Sequence, residues 1–228
     1  AVRPIVKQGG RMKIDSARHP LLLKQDPIIE VTPLEFEMPS GMNVILISGP
    51  NAGGKSVMLK SVGLMVMLAQ CGWDIPSLLK TELPLYKQIF VDLGDEQSIA
   101  RSLSSYSAHL KHMASFMKLA NQDTLVLCDE LGSGTDPDEG SVLAYVMLDS
   151  LLTSGATVLA TTHYGLLKAS VNEHPKMINA AMDFDEETLS PMFSIRVGIP
   201  GGSHAFDIAR RMSLPEDMID KAVSLLGQ

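Results

Sequence analysis

Residues 49–56 read Gly-Pro-Asn-Ala-Gly-Gly-Lys-Ser, the spacing G-x-x-x-x-G-K-[ST] of a phosphate-binding loop. Glycines in this pattern let successive backbone N–H groups turn inward on phosphate oxygens. A helix starting behind them adds partial positive charge. Lys55 can reach β- and γ-phosphates, and the Ser56 hydroxyl can ligate Mg²⁺. Gly49, Pro50, Asn51, Ala52, Gly53, Gly54, Lys55, Ser56 and Val57 are therefore candidate nucleotide-binding residues. A second acidic group supports them. The apolar run Leu125–Cys128 ends in Asp129, the Walker B arrangement in which a strand-end carboxylate holds Mg²⁺. Glu130 follows directly, placed to orient or deprotonate an attacking water, which favours hydrolysis over transfer to a bulky acceptor. His163 closes the run Ala160-Thr161-Thr162-His163 and is a candidate γ-phosphate contact. Lys55, Glu130 and His163 are thus the candidate catalytic residues, and Ser56 and Asp129 the candidate metal ligands.

These groups need elements to hold them. Asn43–Ser48 is apolar and β-branched, as a buried parallel strand should be, and Val57–Gln70 is helix-like, ended by Gly72-Trp73-Asp74-Ile75-Pro76. Residues 85–92, Thr124–Cys128 and Thr157–Thr161 read as further strands. A helix runs from Ser104-Ser105 to Asn121 and another from Ser141 to Leu152, with Gly132–Gly140 as a loop between motifs. Ala180–Asp185 and Met192–Val197 alternate around Glu186-Glu187-Thr188, the pattern of a hairpin. Two short helices close the chain, near Ala205–Met212 and Glu216–Leu226. At the other end, Ile28–Val31 and Leu34–Glu37 read as edge strands broken by prolines. The serines of Ser102-Leu103-Ser104-Ser105-Tyr106-Ser107 open a helix. They serve either as its N-cap or as an anion-binding helix start for a second subunit. With no internal repeat and no low-complexity linker, residues 1–228 read as a single domain.

Composition sets the outer bounds. The net charge of −7 and a pI near 5.3 argue against the chain itself being the main nucleic-acid surface. No apolar run is long enough for a bilayer, and the start Ala1-Val2-Arg3-Pro4 is not a signal peptide. It reads instead as the edge of an excised or processed chain. Cys71 and Cys128 form neither a disulfide framework nor a metal-ligand spacing. Both are expected to be buried thiols, in keeping with a reducing cytoplasm.

Taken together the motifs resemble one family. Gly49-Pro50-Asn51-x-Gly53-Gly54-Lys55-Ser56, Asp129-Glu130-Leu131-Gly132-x-Gly134-Thr135 and Thr161-Thr162-His163 resemble the ATPase domain of MutS proteins. Gly134-Thr135-Asp136-Pro137, Gly94-Asp95-Glu96-Gln97-Ser98 and the serine cluster resemble its second bacterial branch, the Smr-tailed MutS-two. Mismatch-repair members usually carry a serine-threonine pair where Asp136-Pro137 stands. The likeness runs from about Asp15 to the end. It implies an α/β P-loop NTPase of ABC-ATPase type: a mixed central sheet flanked by helices, a small antiparallel strand region and a C-terminal helix pair. It also implies ATP and ADP with Mg²⁺ as cofactors, and a homodimer with two composite sites. Lys55, Ser56, Asp129, Glu130 and His163 would act in cis, while Ser104 would face the partner's γ-phosphate. Asn51 would approach the γ-phosphate region, and Thr135 and Asp136 would lie in the loop coupling the sites. Arg18-His19-Pro20 matches a family motif near the nucleotide. Lever, clamp and Smr nuclease regions of full members are not seen, so DNA or ribosome-associated nucleic acid would be met through regions outside this chain. The branch is associated with branched DNA, suppression of recombination and stalled ribosomes, and no membrane partner is expected. The expected activity is Mg²⁺-dependent ATP hydrolysis, the alternative being a nucleotide-gated interaction module with negligible turnover. A transporter-type ATPase lacks support, because Leu103-Ser104-Ser105-Tyr106-Ser107 stands where a Leu-Ser-Gly-Gly-Gln-like signature belongs. Glu130 and the absence of an evident acceptor lid disfavour a small-molecule kinase.

Overall fold

A computed structural model describes the chain except residues 25–29, 51–52, 79, 95–101, 186–189, 203–204 and 227–228, and except the side chains of 102–105, 190, 205, 211 and 226. The strands are β1 (Ile5–Lys7), β2 (Lys13–Ala17), β3 (Leu34–Glu37), β4 (Val44–Ser48), β5 (Glu82–Pro84), β6 (Gln88–Asp92), β7 (Thr124–Cys128), β8 (Thr157–Thr161), β9 (Met177–Asp185) and β10 (Ser190–Val197). The helices are α1 (Lys55–Gln70), α2 (Ser102–Leu119), α3 (Pro137–Thr153), α4 (Gly165–Glu173), α5 (Ala205–Arg211) and α6 (Glu216–Leu226).

The larger sheet has the order β10-β9-β4-β8-β7-β6. Its pairs are parallel except β10 with β9. β4 pairs with β8 on one side and β9 on the other, so the strand before the glycine-rich loop lies mid-sheet. All five of its residues are buried. Their alternation sends Ile45 and Ile47 into one core, with Leu125, Leu127 and Leu159. Val44 and Leu46 go into the other, with Val126, Val158 and Ala160. Two covered faces explain the unbroken apolar runs of β4, β7 and β8. α3 and α4 line the second core, and α1 the first.

α1 is buried along Met58, Leu59, Val62, Met65 and Val66. The other wall of its core is the second sheet, ordered β1-β5-β2-β3, which contributes Ile14, Leu34, Phe36 and Leu83. α1 ends where Gly72 (φ +76) takes a left-handed turn. The Trp73 N–H then bonds Leu68 O and the Gly72 N–H bonds Ala69 O, a Schellman closure.

Antiparallel pairing is present in β9 with β10 and in β2 with β3 and β5, and the second sheet as a whole is mixed, since β1 runs parallel to β5. Several expectations need correction. Glu30 and Val31 form no strand, and residues 28–29 lie outside the described set. The strand expected from residue 85 begins at Gln88, because the N–H groups of Leu85 and Tyr86 go instead to Lys7 O and Gln70 Oε1. Cys128 is buried but Cys71 is exposed, at the open end of α1. α3 starts at Pro137 rather than Ser141, because the Asp136 carboxylate caps it. β1, β2, β5 and α4 were not anticipated. The expected hairpin forms as β9 and β10, with residues 186–189 between them outside the described set.

Candidate functional site

Parallel β4, β8 and β7 deliver their C-terminal ends to one edge of the sheet. At the end of β4 the chain passes through Gly49 and Pro50, and the Gly53 N–H returns to Pro50 O at 2.9 Å. Gly54 is the N-cap of α1, left-handed at φ 87, with no side-chain cap, and no acidic residue occupies the first turn. The first N–H groups of α1 thus meet no carboxylate of their own helix. Lys55 is 3% exposed, and its Nζ donates to Gly49 O at 2.8 Å and Pro50 O at 2.9 Å. Ser56 is half-buried and Val57 exposed. Asn51 and Ala52 lie outside the described residues.

The acidic turn after β7 is held by one threonine. The Asp129 N–H bonds Asp92 O at 2.8 Å, and its buried carboxylate accepts the Thr161 hydroxyl. Glu130 is left-handed (φ 49), a conformation rare outside glycine. Its N–H donates to Thr161 Oγ1 at 2.8 Å, and the Leu131 N–H to Thr161 O at 2.8 Å. Gly132 (φ +88) completes the turn, where a Cβ would stand 2.6 Å from Gly140 O. β8 therefore sets where both acids point.

His163 follows β8, and its Nε2 stands 3.4 Å from Glu130 Oε1. The hydrogen bond with His163 holds the Glu130 carboxyl below its ordinary range. Burial opposes this, and the charges of His163 and Lys55 reinforce it. The loop and the acidic turn open at the same end of the sheet, on the two strands that flank β8. With β8 between β4 and β7, their ends lie roughly 10 Å apart.

The other expected residues are placed less centrally. Asp136 Oδ1 accepts the N–H groups of Asp138 (3.0 Å) and Glu139 (3.2 Å) as the cap of α3. Thr135 is half-buried beside Gly140. His19 feels Lys60 of α1, and burial first, then Lys60, lowers its pKa. Its Nδ1 accepts the Leu21 N–H at 3.3 Å. Ser104 lies in the first turn of α2, and its side chain is outside the described set.

Sequence reasoning missed the part played by Thr161 and missed Phe193 altogether. Phe193 sits at φ 56 on the irregular stretch of β10 between Pro191 and Ile195, 46% exposed. Its ring lies so near Gly54 that a Cβ there would meet Cδ1 at 2.8 Å. No linear motif announces it; a Pro-x-Phe inside a strand was the one available signal. Ser48 was also passed over. Its buried hydroxyl bonds Ala180 O at 3.3 Å and accepts the Gly201 N–H at 2.8 Å, and Lys168 Nζ holds Gly201 O at 2.9 Å.

A glycine-rich loop facing an acid pair across a parallel sheet is the layout of a nucleotide-handling α/β domain, and the comparisons agree. The family model for MutS domain V, the ATPase domain of that family, matches residues 45–228. The chain belongs to the MutS family. Its relatives define the branch. It is 44% identical over 224 residues to Endonuclease MutS2 of Thermotoga petrophila, covering 98% of this chain and 29% of that protein. It is 44% identical over 222 residues to Endonuclease MutS2 of Shouchella clausii (97% and 28%). For Endonuclease MutS2 of Caldanaerobacter subterraneus the figure is 43% over 227 residues (100% and 28%). The chain spans under a third of the length of these relatives. Among the described residues no helix is long and apolar enough to cross a membrane.

Proposed function

We propose that residues 1–228 form one P-loop, ABC-type ATPase unit that hydrolyses ATP with Mg²⁺ and closes on a second copy of itself. The observation that carries this reading is the meeting, at one sheet edge, of buried Lys55 and the uncapped start of α1 with the Asp129-Glu130 turn. An ammonium, a hydroxyl and a buried carboxylate are the donor set that a triphosphate and a hard divalent cation require. Mg²⁺, held by Ser56 and Asp129, would neutralise phosphate charge. Lys55 would exchange its two loop carbonyls for phosphate oxygens. The first N–H groups of α1 would bind the same oxygens. Glu130, ionised at neutral pH and weakened as a base, would orient the attacking water. His163 would steady Glu130 and contact the γ-phosphate. The exposed ring of Phe193 offers a face on which a base can stack.

The helix start at Ser102–Ser107 would serve the partner's site, with Ser104 nearest its γ-phosphate. Asn51, Thr135, Asp136 and His19 would complete the nucleotide surroundings. By relation to the proteins named Endonuclease MutS2, the unit would drive a cytoplasmic, DNA-associated or ribosome-associated machine, with nucleic acid met mainly outside this chain.

Glu130→Gln tests the chemistry. The variant should bind a fluorescent ATP analogue as the parent does and lose steady-state turnover. Undiminished turnover would refute the role given to Glu130. A second reading, a nucleotide-gated module with negligible turnover, draws on the depressed pKa of Glu130, since a weak base limits water activation. Single-turnover kinetics separate the two.

A further inference from the structure

The site uses β4, β7 and β8 but leaves a polar cluster one strand further out. Asp92 closes β6, and its side chain is 11% exposed. Two histidines of α2 face it. His109 Nδ1 stands 2.5 Å from Asp92 Oδ2, a close contact rather than an aligned hydrogen bond, and His112 Nδ1 stands 3.1 Å from Oδ1. Residues 109 and 112 share a helix face, as positions three apart do.

This cluster is costly and is not needed to attach α2. Phe116 of α2 already stacks on Phe90 of β6 with ring centroids 4.8 Å apart, and Met113 is fully buried against Cys128. His109 Nε2 is buried and finds no hydrogen-bond partner among the described residues, a burden that an apolar side chain would avoid. The same Asp92 accepts the Asp129 N–H through its carbonyl at 2.8 Å. One residue therefore touches both the backbone of the candidate metal ligand and the helix that begins with the serine cluster.

We propose that Asp92 is a positioning residue that couples Asp129 to α2 through His109 and His112, setting the stance of the helix start offered to the second site. The proposal rests on the ATPase reading above. A shift of the acidic turn on nucleotide binding moves the end of β6, and the Asp92 side chain carries the shift to α2 at two points on one face.

The test combines kinetics with hydrogen exchange on the purified protein, with and without Mg²⁺-ATP. Asp92→Asn preserves shape and leaves the β6–β7 ladder intact. His112→Gln alters a mostly exposed ring and spares the core. Both variants should keep KM and nucleotide affinity within about threefold while kcat falls, about tenfold for Asp92→Asn and less for His112→Gln. Both should lose the ATP-dependent protection of amides 106–119 while the loop amides near Lys55 stay protected. Asp92→Asn combined with His109→Gln should cost no more than Asp92→Asn alone. The proposal is overturned if kcat of Asp92→Asn stays within twofold of the parent, if kcat and affinity fall in proportion, or if α2 responds to nucleotide as in the parent. A parent protein with neither turnover nor loop protection would overturn the ATPase reading, and this proposal with it.

Discussion

Thr161→Val isolates the hydroxyl that organises the acidic turn. Valine keeps the shape of threonine and its preference for a strand. Thr161 is fully buried, so the change removes two hydrogen bonds without opening the site to water. The bond to the Asp129 carboxylate is worth about 1.5–3 kcal/mol. The bond from the Glu130 N–H is worth about 0.5–1.5 kcal/mol net, and leaving that donor unpaired in a buried turn costs at the upper end. Burying a methyl in place of the hydroxyl returns about 0.8 kcal/mol. The balance is a loss of about 2–4 kcal/mol, which lowers Tm by roughly 4–16 °C for a chain of this size. The Leu131 bond to Thr161 O survives, so the turn loosens rather than unfolds, and Glu130 loses the contact that compensates its left-handed backbone. If Glu130 orients water as proposed, a misplacement of about 1 Å at its carboxylate costs up to about 100-fold in kcat. Urea unfolding and steady-state ATPase assays give both numbers. Thr161→Ser, which restores the oxygen, should recover most of each. A loss below about 0.5 kcal/mol with parental kcat would refute the claim that this hydroxyl holds the acids in place.

Three further outcomes can be checked. Native protein should release one equivalent of thiol to a disulfide reagent and two after denaturation, because Cys71 is exposed whereas burial, with the charges of Asp92 and Asp129, pushes the Cys128 thiol up; two fast thiols in the native state would contradict this. Asp136→Ala should destabilise by about 0.5–2 kcal/mol through loss of the α3 cap, and Asp136→Asn should recover most of that in the same denaturation assay. Burial pushes the Tyr86 phenol up to about 12 against a pull from Thr157, so the unfolded state releases this proton first. Stability from this group is complete below the ordinary value of 10 and falls by up to about 2.7 kcal/mol as pH rises to 12. Tyr86→Phe should flatten that alkaline decline in urea unfolding between pH 9 and 11, and an unchanged slope would refute it.

The parts legible in the sequence were those that depend on local pattern. β7, β8 and α6 were expected over their observed spans, because two-sided burial writes an apolar run and an amphipathic surface writes a helical one. The loop and the Asp129-Glu130 pair were visible as motifs, since phosphate and metal chemistry narrows the residue types. The short strands β1, β2 and β5 were not visible. Each is three to five residues of mixed polarity and is ordered by pairing with distant strands and packing on the core that holds α1. Asp136-Pro137-Asp138-Glu139 carries a full helix-start signature, which competes in the sequence with the likeness that puts Asp136 in a loop between sites. Thr161 lay in a quoted motif, yet its value depends on a hydroxyl reaching across to the next strand, which no spacing displays. Phe193 and Gly201 join the loop from far along the chain, where a single sequence shows no proximity.

The central placement of β4 also bears on synthesis. Val44 pairs with Val158 and with Met177, both more than a hundred residues downstream. At translation rates of roughly 5–20 residues per second, the strand before the glycine-rich loop has no neighbour for on the order of 10 s. Until then it is a naked run of Val, Ile and Leu with both edges open, a target for chaperones and for wrong strand pairing. A nascent chain halted before Thr157 would thus display the glycine-rich loop behind a strand that has neither of its sheet neighbours. The strand that carries the loop is paired late in the life of the polypeptide, first by β8 and then by β9.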